Sequence, residues 1–343
     1  MEFTYNWNLS DLKKVKPNGL KVFSCFACGG GSTMGYKMSG FEVLGSNDID
    51  REMMKHYVAN HKPKYHFLES IETFKERKDL PEELFNLDIL DGSPPCSSFS
   101  MSGDREKKWG VEKKFREGQA NQILDDLFFH YIDLAKRLQP KVVISENVKG
   151  MLAGNAKGYV KQIFKEFDNA GYDTQLFLLN GATMGLPQRR ERVFFVSRRK
   201  DLKLPKLILN FNEKEVPVKE ALGDLLHLYG SDKSKSKNYK YWQKCQEGKS
   251  LASVHPTGSL FNLIKISQHR SFPTLTSKDV YLRWDKMTNF TTSQLSRIGS
   301  YPMDYVFESE AMGRYLIGMS VPPMMMHKVS REIARQLFNV ESK

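Results

Sequence analysis

Residues 91–100, DGSPPCSSFS, place Cys96 directly behind Pro94 and Pro95. Each proline fixes its own φ and lacks a backbone donor, and each pushes the residue before it toward extended geometry. The apolar run 87–90 reads as a buried strand, so Cys96 sits on a stiff turn at a strand end. A thiol held there can act as a nucleophile through its thiolate; a thiol packed as a small hydrophobe fits the local pattern as well. A second apolar run, 141–145, ends at Glu146 and Asn147. A carboxyl at the carboxyl edge of a parallel sheet lies where ligands bind, so Glu146 is a candidate acid, the alternative being a helix-capping or loop carboxylate. Gln188, Arg190 and Arg192 alternate just ahead of a third run, 192–197. Alternation puts them on one face, where their forks can hold a phosphate, a carboxylate or a base edge, unless they are an ordinary charged strand end.

Residues 22–36, VFSCFACGGGSTMGY, run a strand into Gly29, Gly30 and Gly31 and then into a helix near Ser32. The first strand-to-helix turn of a parallel sheet is where nucleotide-like ligands sit, and glycine lets the backbone approach them. Asp48 and Asp50 follow the second strand, where a carboxylate can accept both hydroxyls of a ribose. The spacing is not that of a dinucleotide fingerprint, so the pair suits an adenosine-bearing cofactor in general, and a plain glycine-rich turn remains the alternative. Cys25 and Cys28 lie in this loop without a second ligand pair at zinc spacing, and we assign both to packing or loop structure.

These residues need a sheet to position them. Strand-like runs at 20–24, 41–47, 87–90, 141–145, 174–179 and 192–197 alternate with helical patterns, the clearest at 121–138. That alternation predicts an α/β fold, a doubly wound, mostly parallel sheet covered on both faces. After about residue 200 the periodicity weakens. A segment there mixes Lys233, Lys235, Lys237, Lys240, Lys244 and Lys249 with Tyr239, Tyr241 and Trp242. It reads as a solvated loop or as a nucleic-acid contact, with lysines on phosphates and aromatics near bases. A helical pattern returns at 324–338. The chain has 343 residues and a formal charge of +12, which makes a polyanion, nucleic acid first, the natural partner. No apolar run approaches the ~20 residues of a membrane span, and the first residues lack a secretory pattern, so the four cysteines are expected to be reduced.

The blocks FACGGG, PPCSSFS, ENVKG, QRRER, RSFPTLT and GMSVPP, in this order from about residue 22 to 330, resemble the DNA (cytosine-5) methyltransferases. The resemblance implies an S-adenosylmethionine-dependent, Rossmann-like fold. It implies a catalytic domain at 1–199, a target-recognition region at 200–311, and a segment at 312–343 that completes the catalytic domain. Cys96 matches the nucleophile that adds to C6 of a flipped-out cytosine, and Glu146 matches the residue that binds N3 and the exocyclic amine. Arg190 and Arg192 complete the expected catalytic set by favouring the thiolate. The resemblance places S-adenosyl-L-methionine among Phe26, Gly29, Gly31, Asp48, Ile49, Ser70, Ile71, Pro95, Leu127, Ser320 and Val321. It places the DNA substrate at Gln188, Asn147, Arg270 and Thr274. Residues 98–119 read as a loop closing over the extruded base. Two positions depart from the family pattern: Ser70, with Glu69 beside it, stands where an acid is usual after the third strand, and Met319 replaces an asparagine. The expected partner is double-stranded DNA, met by a monomer in the cytoplasm of a prokaryote or by a phage enzyme, of restriction-modification or phage type. An RNA cytosine-5 methyltransferase and an NAD-linked oxidoreductase with a reactive thiol are the alternatives.

Overall fold

The computed structural model describes residues 2–95, 126–153, 156–278 and 280–340. Cys96, the 98–119 segment and the first residues of the helix expected at 121–138 lie outside the described residues.

The first part of the chain forms β1 (Lys21–Cys25), α1 (Gly31–Met38), β2 (Glu42–Asp48), α2 (Arg51–His61), β3 (Tyr65–Leu68), α3 (Ile71–Glu76) and β4 (Ile89–Gly92). It continues with α4 (Leu127–Leu138), β5 (Val142–Val148), α5 (Ala156–Asn169), β6 (Tyr172–Asn180), β7 (Gln188–Arg189) and β8 (Glu191–Arg199). Seven strands make one sheet in the order β3-β2-β1-β4-β5-β8-β6. Pairing is parallel from β3 through β5, and β8 runs antiparallel to both of its neighbours. The chain winds outward from β1 to β3 and then returns to β4, so the order reverses between β1 and β4. Ligands bind outside the carboxyl ends of strands at such a reversal. The six strands read from apolar runs are all present. β3 escaped that reading because it is an edge strand whose side chains alternate between half-buried and exposed.

Alternating side chains divide two cores between the faces of the sheet. Val22, Ile89, Val142, Ile144 and Phe194 face one core, where α1 packs beside α10 (Pro323–Phe338). Phe23, Leu90, Val143, Val193 and Phe195 face the other, covered by α3, α4 and α5. Tyr131 of α4 spans two strands, its hydroxyl lying 2.9 Å from the carbonyls of both Leu90 and Ile144. α10 begins at Pro323, whose missing N–H costs a first turn nothing, and ends on Asn339 in the left-handed region.

Beyond residue 200 come α6 (Val218–Leu222), α7 (Tyr239–Lys244), β9 (Ile264–Lys265), β10 (Phe272–Pro273), β11 (Tyr281–Leu282), α8 (Thr292–Ile298) and α9 (Glu310–Met319). Trp242, Cys245, Leu251, Leu282 and Met287 form a small core of their own, whereas Leu295 and Ile298 of α8 join the main one. Trp242 therefore does not contact bases: it is buried, donates Nε1–H to the Arg283 carbonyl and lies under the Lys265 ammonium. Lys235, Lys237, Lys240, Lys244 and Lys249 around it are exposed. Among the described residues, no helix is long and apolar enough to cross a membrane.

Gly35 sets how closely α1 approaches α10. A Cβ there would fall 2.5 Å from Met326 Cβ, 2.6 Å from the Pro323 carbonyl oxygen and 2.7 Å from the His327 nitrogen. Gly35→Ala is expected to cost about 2 kcal/mol or more in urea unfolding, because backbone on both sides must move. Gly158→Ala, where a Cβ meets open space on α5, is expected to stabilise by about 0.5–1 kcal/mol in the same measurement.

Candidate active site

β1 leaves the sheet through a turn in which Phe26, Cys28 and Gly30 all have positive φ, at 53°, 49° and 78°. Such a backbone costs of order 1 kcal/mol at each non-glycine residue and persists only where the surroundings over-determine it. Here the Cys28 N–H donates to Asp48 Oδ2 at 2.8 Å. The Gly29 carbonyl accepts from the Tyr305 hydroxyl at 2.9 Å and from His61 Nε2 at 3.1 Å. Burial, with Lys37 adding to it, pushes the His61 imidazole down to about 3, so it stays neutral near pH 7. The glycines prove to serve chain packing. A Cβ on Gly31 would lie 2.0 Å from the Val321 carbonyl oxygen, and one on Gly29 would meet Leu316, Tyr301 and Tyr305. The space beside Gly29 and Gly31 thus belongs to the C-terminal segment, with Ser320 and Val321 buried against the turn. Cys25 and Cys28 are packed thiols; burial, ahead of the Asp48 charge, pushes Cys28 up to about 12.

Asp48, at the end of β2, accepts from the backbone of Cys28 with one oxygen and of Asp50 with the other, at 2.9 Å. Burial raises its carboxyl to about 6 against those donors. Phe26 and Ile49 are half-buried beside it, and the Phe26 ring meets Tyr131 edge-on at 6.2 Å. Ser70 is the N-cap of α3, accepting from the Thr73 N–H at 3.1 Å. Ile71 and Leu127, expected to touch the cofactor, are instead sealed in the α3–α5 core. Asn147 also differs from expectation. Its side-chain amide donates to the Pro94 carbonyl at 2.9 Å, which ties the end of β5 to the proline turn that leads through half-buried Pro95 to Cys96.

Glu146 is buried at the end of β5 and pairs with Arg192 of β8, Oε1 to Nε at 2.8 Å. The antiparallel register, Val148 opposite Arg192 and Glu146 opposite Phe194, makes the two diagonal neighbours on one face. Gln188 and Arg190 do not join Arg192 there, because the chain breaks from β7 to β8 between them. Arg190 donates Nη1 to the Leu275 carbonyl at 2.8 Å and Nη2 to the Ser320 carbonyl at 3.0 Å. Burial first, and then Arg192, lower its pKa to about 9. Gln188 accepts from the Leu275 N–H at 3.0 Å, and the Thr274 hydroxyl donates to the Arg189 carbonyl at 2.9 Å. Arg190 is thus a buckle between the sheet and the C-terminal half, its two terminal nitrogens held by carbonyls. Arg270 is exposed, 3.5 Å from Glu215. The residues missed from sequence are His61, Tyr301, Tyr305 and Asp91. Only Asp91 carried a signal, an acid inside an otherwise apolar strand.

The arrangement gathers a carboxylate held by backbone amides, an aromatic ring at the β1 turn, and an arginine-paired acid beside the proline turn. A family model described as C-5 cytosine-specific DNA methylase matches residues 20–335. The chain is 37% identical over 213 residues to the Type II methyltransferase M.NgoPII of Neisseria gonorrhoeae, covering 61% of this chain but 58% of that protein. It is 29% identical over 357 residues to the Type II methyltransferase M.FnuDI of Fusobacterium nucleatum, covering 94% and 96%. The structure of a prophage-encoded DNA modification methyltransferase of E. coli superposes with a TM-score of 0.70 at 19% identity, over 94% of this chain and 100% of that one.

A lysine cannot span two carbonyls as a guanidinium fork does. Arg190→Lys is therefore expected to lower stability by about 2–3 kcal/mol in urea unfolding, since at least one buried carbonyl loses its partner.

Proposed function

Because this chain belongs to the C-5 cytosine-specific DNA methylase family, we infer that it methylates C5 of a cytosine flipped out of double-stranded DNA, with Cys96 as the nucleophile. The observation that carries the reading is the Asn147–Pro94 hydrogen bond, which ties Pro94, two residues before Cys96 in sequence, to the strand end that presents Glu146. A pyrimidine seated there would meet the acid, with the proline turn beside it.

Cytosine C5 is a poor nucleophile while its ring is aromatic. Addition of the Cys96 thiolate to C6 breaks that aromaticity and moves electron density onto C5 and N3. Arg192 holds one carboxyl oxygen of Glu146, leaving the other to meet N3 and the exocyclic amine. S-adenosyl-L-methionine supplies, when bound, an electrophilic methyl group on a sulfonium. With the methyl on C5 and the cofactor left as its neutral thioether, a base would remove the C5 proton, and elimination of the thiolate would restore the ring and free Cys96. The residues at the turn fit this cofactor better than a dinucleotide. Asp48 suits a ribose and Phe26 an adenine face. The carboxylates of Asp48, Asp91 and Glu146 gather at the strand ends where a pyrophosphate would be repelled, and residues 26–31 contain no lysine or arginine. This disfavours the NAD-linked reading, and the named relatives favour DNA over RNA.

Extruding a base costs a few kcal/mol, which phosphate contacts must offset. We place those contacts on the exposed lysines between residues 235 and 249, within a recognition region at 200–311 nucleated by the small Trp242 core. The catalytic unit then comprises 1–199 and 312–343. The enzyme would act as an intracellular monomer of a prokaryote or phage, of modification type.

Cys96→Ser is expected to abolish transfer of a labelled methyl group to DNA while cofactor and DNA binding persist. Glu146→Gln should slow transfer about a hundredfold or more with cofactor affinity unchanged. DNA carrying 5-fluorocytosine should trap the wild-type protein covalently through Cys96, since fluorine cannot leave as the proton does. Normal turnover by Cys96→Ser would remove this mechanism.

A further inference from the structure

Asp91 is 2% exposed, next to the last residue of β4, and plays no part in the chemistry above. Its carboxylate accepts from the Ser24 hydroxyl at 2.7 Å and from the Tyr36 hydroxyl at 3.2 Å, and Ser32, in the first turn of α1, also bonds to it. Among the described residues no lysine, arginine or histidine bonds to it. The other buried carboxylates differ, as does half-buried Asp48: Asp88 pairs with Lys141 at 2.7 Å, Glu146 with Arg192, and Asp48 and Asp50 are met by backbone N–H groups. Three hydroxyl donors keep an anion hydrogen-bonded but do not neutralise it. Burying an unpaired anion is costly, and a fold with nothing to gain would place an apolar residue there, as the neighbouring Ile89 and Leu90 do.

Sheet order says what lies above this anion. The ribose carboxylate ends β2, the turn follows β1, and the acid for the pyrimidine ends β5. Asp91 and Gly92 end β4, the strand between β1 and β5, with Ser24 and Asp91 in direct register. β1 and β5 are two strand spacings apart, roughly 10 Å. A cofactor whose adenosine lies at β1 and β2, and whose methyl meets a base at β5, must carry its sulfur across the end of β4.

We propose that Asp91 is the counter-charge for the sulfonium of the methyl donor, so that the pocket distinguishes the cationic donor from its neutral thioether product. The proposal rests on the cofactor reading given above and adds a residue to it. Buried and hydrogen-bonded as it is, the carboxyl is raised to about 7, by burial first and with the Glu146 charge contributing against its hydroxyl donors. A cation beside it would favour the ionised form. The titratable groups that face it are Cys25 on β1, Tyr36 on α1, Tyr57 on α2, Tyr131 on α4 and Glu146 on β5, with Asp48 on β2 acting on the same Cys25. Cys25 and the three tyrosines are raised above their ordinary values and stay neutral through pH 8. Asp48, raised to about 6, is assigned to the ribose that donor and product share.

Calorimetric titration of the full-length protein with S-adenosylmethionine and with S-adenosylhomocysteine tests this. Asp91→Asn, which keeps the shape and a hydrogen-bond acceptor, is expected to raise Kd for S-adenosylmethionine about tenfold while Kd for S-adenosylhomocysteine stays within about twofold. In the wild-type protein the affinity ratio, donor over product, should fall several-fold from pH 8 to pH 6 as the carboxyl protonates, and this arm stands even if the variant does not fold. Equal weakening of both ligands, loss of both, or no change in the variant would overturn the proposal, as would a flat wild-type ratio. A wild-type protein that binds neither molecule would overturn the cofactor reading itself, and Asp91's role with it.

Discussion

Parallel alignment of β1, β2, β4 and β5 is the constraint on which the site depends. Strands that run the same way deliver their last residues to one edge, whatever lies between them in sequence. Cys28, Asp48, Asp91 and Glu146 are scattered over more than a third of the chain, yet each lies within three residues of the carboxyl end of a strand at that edge. The order of strands then sets these side chains along a line: Asp48 at β2, the turn after β1, Asp91 at β4 and Glu146 at β5. Right-handed crossovers fix which helices cover which face, so the line cannot be permuted by local change.

Parallel strands bring the residues to the rim but do not hold the loops above it. That work falls to single side chains, each of which spans two segments. Asn147 holds the proline turn, Asp48 holds the glycine turn to α2, and Arg190 joins β8 to residues 275 and 320. In each case a polar group is buried and its partner is a backbone group, which gives position at a modest net energy but a large loss if one member is deleted. Two positive-φ residues, Phe26 and Cys28, are tolerated because these clamps leave the turn no alternative.

Much of this was legible in the sequence, and what was not has physical causes. Apolar runs disclosed six strands because buried parallel strands are continuous in hydrophobicity. The edge strand β3 lacks such a run. The positions of Glu146 and Asp48 at one sheet edge were legible because polar groups near strand ends interrupt apolar patterns. The roles of Arg190 and Asn147 were not, because a side chain's alternation along a strand is visible but its partner across the molecule is not. The packing partners of Trp242 and of the glycine block were hidden for the same reason. Composition marks aromatics and glycines as ligand-facing, whereas their neighbours here are the Arg283 carbonyl and the Val321 backbone.

The glycine turn of β1 is finished only by residues 316–321, and α1 only by α10. A chain emerging from the ribosome can therefore form its sheet before the turn is fully packed, which waits until α10 is free of the exit tunnel. The turn thus gains its full packing late in synthesis, after the sheet that carries it.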